Sequence, residues 1–224
     1  MHKTFVIGDI HGCHRALVEL LARINPDPAS DTVVFLGDYI DRGPDSRGVV
    51  AEVIGLRKRL GRVITLMGNH EEMFLRFLAD DEPEFFLTMG GRETLASYGI
   101  KPPYDRPALA AIPADHLRFY DDLLTCWEDE QAIYVHAGLQ PGVHLSQQSR
   151  EWLLWARDNY LASGHDFGKP VVSGHTPCQV PLQDAHKIVI DTGAVYGGRL
   201  TCLVLPDLEF IQVAGEPGLK HLFR

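Results

Sequence analysis

The sequence predicts an α/β fold of mixed α+β character, a two-sheet β-sandwich flanked by helices. Two observations carry that expectation. Strand, loop and helix follow one another three times within the first seventy residues, which predicts parallel pairing there. Strands then return at short spacing in the second half, which predicts an antiparallel second sheet.

Thr4-Phe5-Val6-Ile7 reads as the first strand and runs into Gly8-Asp9-Ile10-His11-Gly12. Leu17, Leu20, Leu21 and Ile24 then recur at helical spacing, one apolar stripe of an amphipathic helix. Thr32-Val33-Val34-Phe35-Leu36 is the second strand, ending in Gly37-Asp38-Tyr39-Ile40-Asp41-Arg42-Gly43-Pro44, and its helix carries Val49, Val50, Val53 and Ile54. The third strand, Arg62 to Leu66, ends in Gly68-Asn69-His70-Glu71, with Met73, Phe74, Phe77 and Leu78 apolar behind it. Residues 80–130 are rich in proline and acidic side chains and read as a cap-like insertion, with a helical piece from Ala114 to Leu124. Strands resume at Ala132 to Val135 before His136, at Val171-Val172 before Ser173-Gly174-His175, and at Lys187 to Ile190 before Asp191-Thr192-Gly193. Leu200 to Leu205 and Leu208 to Val213 follow. With no repeat and no linker, residues 1–224 read as a single domain.

Composition narrows the class of partner. Lys+Arg 21 against Asp+Glu 30 gives a net charge of −9, and no basic cluster offsets it, so no nucleic acid partner is expected. No apolar run approaches the roughly 18–20 residues of a membrane span, and the N-terminus lacks a signal-peptide core. A cytoplasmic protein without membrane contact is the expectation. The four cysteines are scattered, with no Cys-x-x-Cys pair, which fits free thiols rather than a zinc finger.

Ligands of α/β folds bind beyond the carboxyl ends of the strands. Here those positions hold Asp9 and His11, then Asp38, Asp41 and Arg42, then Asn69 and His70, and later His136 and His175. Each alone is ordinary. Together, five strand-end loops bearing carboxylates, imidazoles and an amide make a donor set suited to Mn, Fe or Zn, with more ligands than one tetrahedral ion needs.

The blocks Gly8-Asp9-Ile10-His11-Gly12, Gly37-Asp38-Tyr39-Ile40-Asp41-Arg42-Gly43, Gly68-Asn69-His70-Glu71, His136-Ala137-Gly138 and Ser173-Gly174-His175 resemble, in order, the signature of the phosphoprotein phosphatase branch of the calcineurin-like metallophosphoesterases. Within that branch the chain is most similar to the small bacterial and phage serine/threonine protein phosphatases. The resemblance implies two divalent metal ions, most readily Mn, with Fe or Zn as alternatives. By it, Asp9 and His11 hold the first ion, Asp38 bridges, and Asn69, His136 and His175 hold the second. A metal-bridging hydroxide would attack phosphorus in line. His70 would protonate the leaving oxygen, oriented and kept as imidazolium by Asp41. Arg42, and Arg157 in Leu153-Leu154-Trp155-Ala156-Arg157, would bind phosphate through planar guanidinium forks.

The implied substrate is a phosphoprotein or a phosphorylated small molecule, cleaved at phosphoserine or phosphothreonine, with phosphotyrosine as a further target. The alternative is symmetrical hydrolysis of diadenosine tetraphosphate, since Asp191-Thr192-Gly193-Ala194-Val195-Tyr196-Gly197-Gly198 resembles a block of those hydrolases. Gly68-Asn69-His70-Glu71 leans towards the protein phosphatases, whereas Met67 stands where many of them carry a basic residue. His14 reads as a helix residue rather than a ligand. His2, His116, His144, His165, His186 and His221 have no motif around them and read as surface residues. Cys13 reads as a small buried residue, and Tyr196 lies either over the pocket mouth or in packing.

Overall fold

The computed structural model describes residues 2–217. In the first sheet, β1 (Thr4–Ile7), β2 (Thr32–Phe35) and β3 (Val63–Thr65) pair in parallel, as expected. Their connections are α1 (His14–Ile24) and α2 (Ser46–Arg59). α1 buries Leu17, Leu20, Leu21 and Ile24 along one stripe and ends at Asn25 in the left-handed conformation. α2 begins where the Asp45 side chain accepts the Gly48 amide, leaving Val49, Val50, Val53 and Leu56 buried. α3 (Asn69–Leu78) buries Met73, Phe74 and Phe77.

Residues 80–130 form short helices, α4 (Pro83–Phe86), α5 (Arg92–Ser97), α6 (Arg106–Leu109) and α7 (Ala114–Asp121), then β4 (Cys126–Glu128). α5 and α7 pack against α2, and α4 against α3. The segment returns to the first sheet where Met67 donates its amide to the Leu124 carbonyl at 2.7 Å. β5 (Ile133–Val135), α8 (Arg150–Trp155), α9 (Asp158–Leu161), β6 (Val171–Ser173), β7 (Leu182–Gln183), β8 (Lys187–Val189), β9 (Arg199–Leu205) and β10 (Glu209–Ala214) complete the chain.

The sheet orders are β10-β9-β1-β2-β3 and β4-β5-β6-β8-β7. This corrects the expected antiparallel second sheet, which is mixed: β5, β6 and β8 are parallel and only the edge strands β4 and β7 run antiparallel. The segments between β5 and β6, and between β6 and β8, are long enough for parallel crossovers. The last two strands leave that sheet altogether. β9 pairs antiparallel with β1, and β10 with β9.

Alternation explains the layering. Val6, Val34, Leu36, Leu203 and Leu205 share an apolar cluster with Tyr134, Val172 and Ile188 of the other sheet. Phe5, Ile7, Val33, Phe35, Cys202 and Val204 belong to the cluster that includes α1 and α2. Successive side chains of one strand thus bury on opposite faces, so β1, β2 and β9 are covered by helices on one side and by the second sheet on the other. His116 departs from its expected surface position. α7 turns it inward, and its Nδ1 lies 2.8 Å from the Tyr98 hydroxyl. His2, His144 and His165 are exposed, His186 is half-buried, and His221 lies outside the described residues.

Candidate active site

Each strand-end residue lies at the carboxyl edge of a parallel strand. Asp9 and His11 follow β1, Asp38, Asp41 and Arg42 follow β2, and Asn69 and His70 open α3 beyond β3. His136 and His175 follow β5 and β6 of the second sheet. The backbone of this region is strained. His11, Asp38, Asp41, Arg42 and His175 all have positive φ, between 45° and 74°, a conformation that side-chain-bearing residues adopt at a cost. Glycine is required where loops cross: a Cβ on Gly43 would meet the His11 carbonyl at 1.8 Å, and one on Gly37 the Gly68 nitrogen at 2.5 Å.

Hydrogen bonds lock the loops together. His11 and Ile10 donate their amides to the Asp38 carbonyl. The buried Glu71 carboxylate accepts the amides of Asp38 and Gly68 at 2.9 Å and that of Tyr39 at 2.8 Å. Sequence reading gave Glu71 no role. Its signal was available, since an acidic residue in the first turn of a helix is a capping residue. Burial pushes the Glu71 carboxyl up to about 8, against the amides that it accepts.

Eight expected residues converge: Asp9, His11, Asp38, Asp41, Asn69, His70, His136 and His175 each expose 5% or less of their surface. Asp38 is common to two clusters of ligand atoms, one with His11 and His70 and the other with His136 and His175. His136 Nε2 lies 3.0 Å from Asn69 Oδ1, 3.2 Å from His175 Nδ1 and 3.5 Å from Asp38 Oδ1. His11 Nε2 lies 3.3 Å from Asp38 Oδ2. Asp9 stands outside both clusters and accepts the His175 amide at 3.0 and 3.2 Å. His70 Nδ1 and Asp41 Oδ2 meet at 2.6 Å.

Arg42, half-buried, places Nη1 2.8 Å from His11 Nε2 and its guanidinium 5.9 Å from the Tyr196 ring centroid. Tyr196 therefore lies beside the site rather than in the core, 41% exposed. Arg157 stays outside the buried cluster. It is exposed, and with Trp152 and Trp155 it lines an open pocket of about 430 Å³. Its charge adds to the burial that depresses His136 and His175. Asp191, absent from the residues expected at the site, also sits at a strand end, beyond β8. Its buried carboxylate, with that of Asp38, adds to the burial that pushes Asp9 well above the usual carboxylate range. His14 is no part of the cluster and pairs with Asp45 at 3.1 Å. Cys13 is fully buried, as expected, and burial pushes its thiol up to about 12.

The donor set fits a cation. A carbonyl oxygen only accepts, so His136 Nδ1, 3.0 Å from the Leu36 carbonyl, carries the ring proton and leaves Nε2 as a bare lone pair. Burial lowers the His136 and His175 pKa values, the latter to about 2, so both rings are neutral. His136 Nε2 and the Asn69 and Asp38 oxygens thus turn lone pairs on one another. The buried His175 Nε2 has no hydrogen-bond partner among the described residues. Asp38 is held well below the usual carboxylate range against its burial. Converging lone pairs around an ionised carboxylate are what a divalent ion relieves.

Comparison with known proteins agrees. The family described as calcineurin-like phosphoesterase matches residues 2–185. The chain belongs to this family. It is therefore an enzyme of the metallophosphoesterase hydrolase class, whose members use divalent metals, and the structure shows His and Asp groups for a metal site. This phosphoesterase is 31% identical to serine/threonine-protein phosphatase 1 of Salmonella typhimurium, over 88% of the chain and 89% of the relative. It is 27% identical to the asymmetrical bis(5'-nucleosyl)-tetraphosphatase PrpE of Anoxybacillus flavithermus, over 98% of the chain and 97% of the relative. A solved structure provisionally described as a diadenosine tetraphosphatase superposes with a TM-score of 0.73 at 26% identity, covering 96% of this chain and 95% of that one. Among the described residues no helix is long and apolar enough to cross a membrane.

Proposed function

We propose that this phosphoesterase removes phosphate from phosphoserine and phosphothreonine, with two divalent ions, Mn before Fe or Zn, held by Asp9, His11, Asp38, Asn69, His136 and His175. The observation that carries the reading is the sharing of Asp38 between two ligand clusters, one of which includes His70, itself hydrogen-bonded to Asp41. When bound, the ions supply Lewis-acid polarisation of the phosphoryl group and activation of water. The remaining work falls to the chain. Arg42 binds a phosphoryl oxygen through its guanidinium, and Arg157 offers a second contact at the pocket wall. His70 Nδ1 is held by Asp41, so Nε2 is the ring atom free to protonate the leaving oxygen. The 31% identity to the Salmonella protein phosphatase, with most of both chains covered, supports the substrate class.

A second reading, dinucleoside polyphosphate hydrolysis, is favoured by the near-complete coverage of the PrpE relatives. Their name specifies asymmetrical cleavage, where sequence reading expected the symmetrical kind. One experiment separates the readings. The metal-stripped protein is reloaded with Mn²⁺, and kcat/KM is measured on a phosphoserine peptide and on diadenosine tetraphosphate. Preference for the peptide supports the first reading. Preference for the dinucleotide overturns it, and the products, two diphosphates or a triphosphate with a monophosphate, give the cleavage pattern.

A further inference from the structure

Asp41 reaches His70 with one carboxylate oxygen, and its other oxygen is also occupied. Thr94 Oγ1, on α5 within the 80–130 segment, donates to Asp41 Oδ1 at 2.6 Å. The same hydroxyl accepts the Asp41 amide at 2.8 Å, so one threonine grips both the backbone and the side chain of Asp41. With its proton directed to Oδ1, Thr94 receives the hydroxyl of Ser46, 3.1 Å away. Thr94, Ser46 and Asp41 are all fully buried.

Two further ties join the same segments. Arg42 donates its amide to the Gly90 carbonyl at 3.1 Å, and Arg47 donates its amide to Ser97 Oγ at 3.1 Å. Residues 90–97 are therefore clamped along residues 41–47. Asp41 and Arg42 have φ of 74° and 67°, so the backbone that this clamp holds is one that would relax if released.

We infer that Thr94 is a positioning residue for phosphoester hydrolysis, holding the Asp41 carboxylate at the angle that aims His70 at the leaving oxygen. The inference rests on the acid pair proposed above. A hydroxyl donor on Oδ1 fixes rotation about the Asp41 side chain, because Oδ2 is left facing His70 Nδ1 alone. Geometry of this kind matters most where the leaving group needs a proton. An alkyl phosphate such as phosphoserine has a basic leaving oxygen, whereas dinitrophenolate departs without help.

The test compares wild type, Thr94→Val and Thr94→Ser, all loaded with Mn²⁺, on a phosphoserine peptide and on 2,4-dinitrophenyl phosphate. We expect Thr94→Val to lower kcat on the peptide by about tenfold to a hundredfold, the worth of a hydrogen bond to a charged group. KM and bound metal stay unchanged, kcat on the dinitrophenyl ester falls less than about threefold, and Thr94→Ser returns to near wild type. Equal losses on both esters, or a change confined to KM, overturn the inference and leave Thr94 a packing residue. Should Thr94→Val not fold, Thr94→Ala carries the same comparison. Wild-type enzyme inactive on both esters would instead overturn the proposed phosphomonoester reading itself.

Discussion

Oδ2 of Asp41 and Nδ1 of His70 lie 2.6 Å apart, with neither side chain exposing more than 1% of its surface. Burial pushes the Asp41 carboxyl up to about 7 and the His70 imidazole well below its ordinary value. Both directions oppose a free imidazolium. The 2.6 Å contact is a hydrogen bond that shares a proton between Nδ1 and Oδ2.

His70→Asn should lower kcat by about a hundredfold or more, the usual worth of a general acid, with both metal equivalents retained. Kinetics beside elemental analysis check this. Turnover within a few-fold of wild type would remove His70 from the mechanism.

Asp38→Asn should cost metal and turnover together, because Asp38 is the one carboxylate common to both ligand clusters. Equilibrium dialysis against Mn²⁺ reads the stoichiometry. Two ions still bound would show that Asp38 does not bridge.

Gly174→Ala tests Asp9 indirectly. A Cβ at this position would fall 2.0 Å from Asp9 Oδ1, which also accepts the neighbouring His175 amide. The carboxylate must move, and metal affinity should fall about tenfold or more, comparable to loss of a supporting contact. Unchanged affinity by metal titration would place Asp9 outside the centre.

His116→Gln should flatten the acid side of the stability profile. Burial lowers the His116 pKa below 6.5, so the unfolded chain binds the proton more tightly than the folded one. Its contribution is intact above pH 6.5 and is lost as pH falls through that value towards the folded pKa. Tyr98, Asp115 and Arg47 face the ring and are common to both proteins. Urea midpoints at pH 8 and pH 5 should therefore differ less for the variant than for wild type. Equal differences would mean that the buried ring costs nothing to protonate.

The strand ends were legible because glycine, carboxylate and imidazole recur immediately after alternating apolar runs, as at Asp9, Asp38 and His136. The partners of those strands were not. Apolar spacing in residues 200–213 marks strands but does not say beside which strand they lie, and β9 joins a neighbour almost two hundred residues away. Thr94 is invisible in the sequence for a related reason. Its contact with Asp41 spans 53 residues, and an isolated threonine in a weakly patterned segment gives no sign of it.

The pairing of β9 with β1 also sets an order on synthesis. β1 is an interior strand of its sheet, yet one flank stays bare until residues 202–205 have been made. Until then a nascent chain carries Thr4–Ile7 with unpaired amides and carbonyls along an apolar edge, the kind of edge that recruits other chains. Any product stopped between His175 and Arg199 keeps that edge permanently, together with every strand-end loop from Asp9 to His175. Copies of that length are thus expected in aggregates or bound to chaperones, with the candidate site residues present and no soluble enzyme to use them.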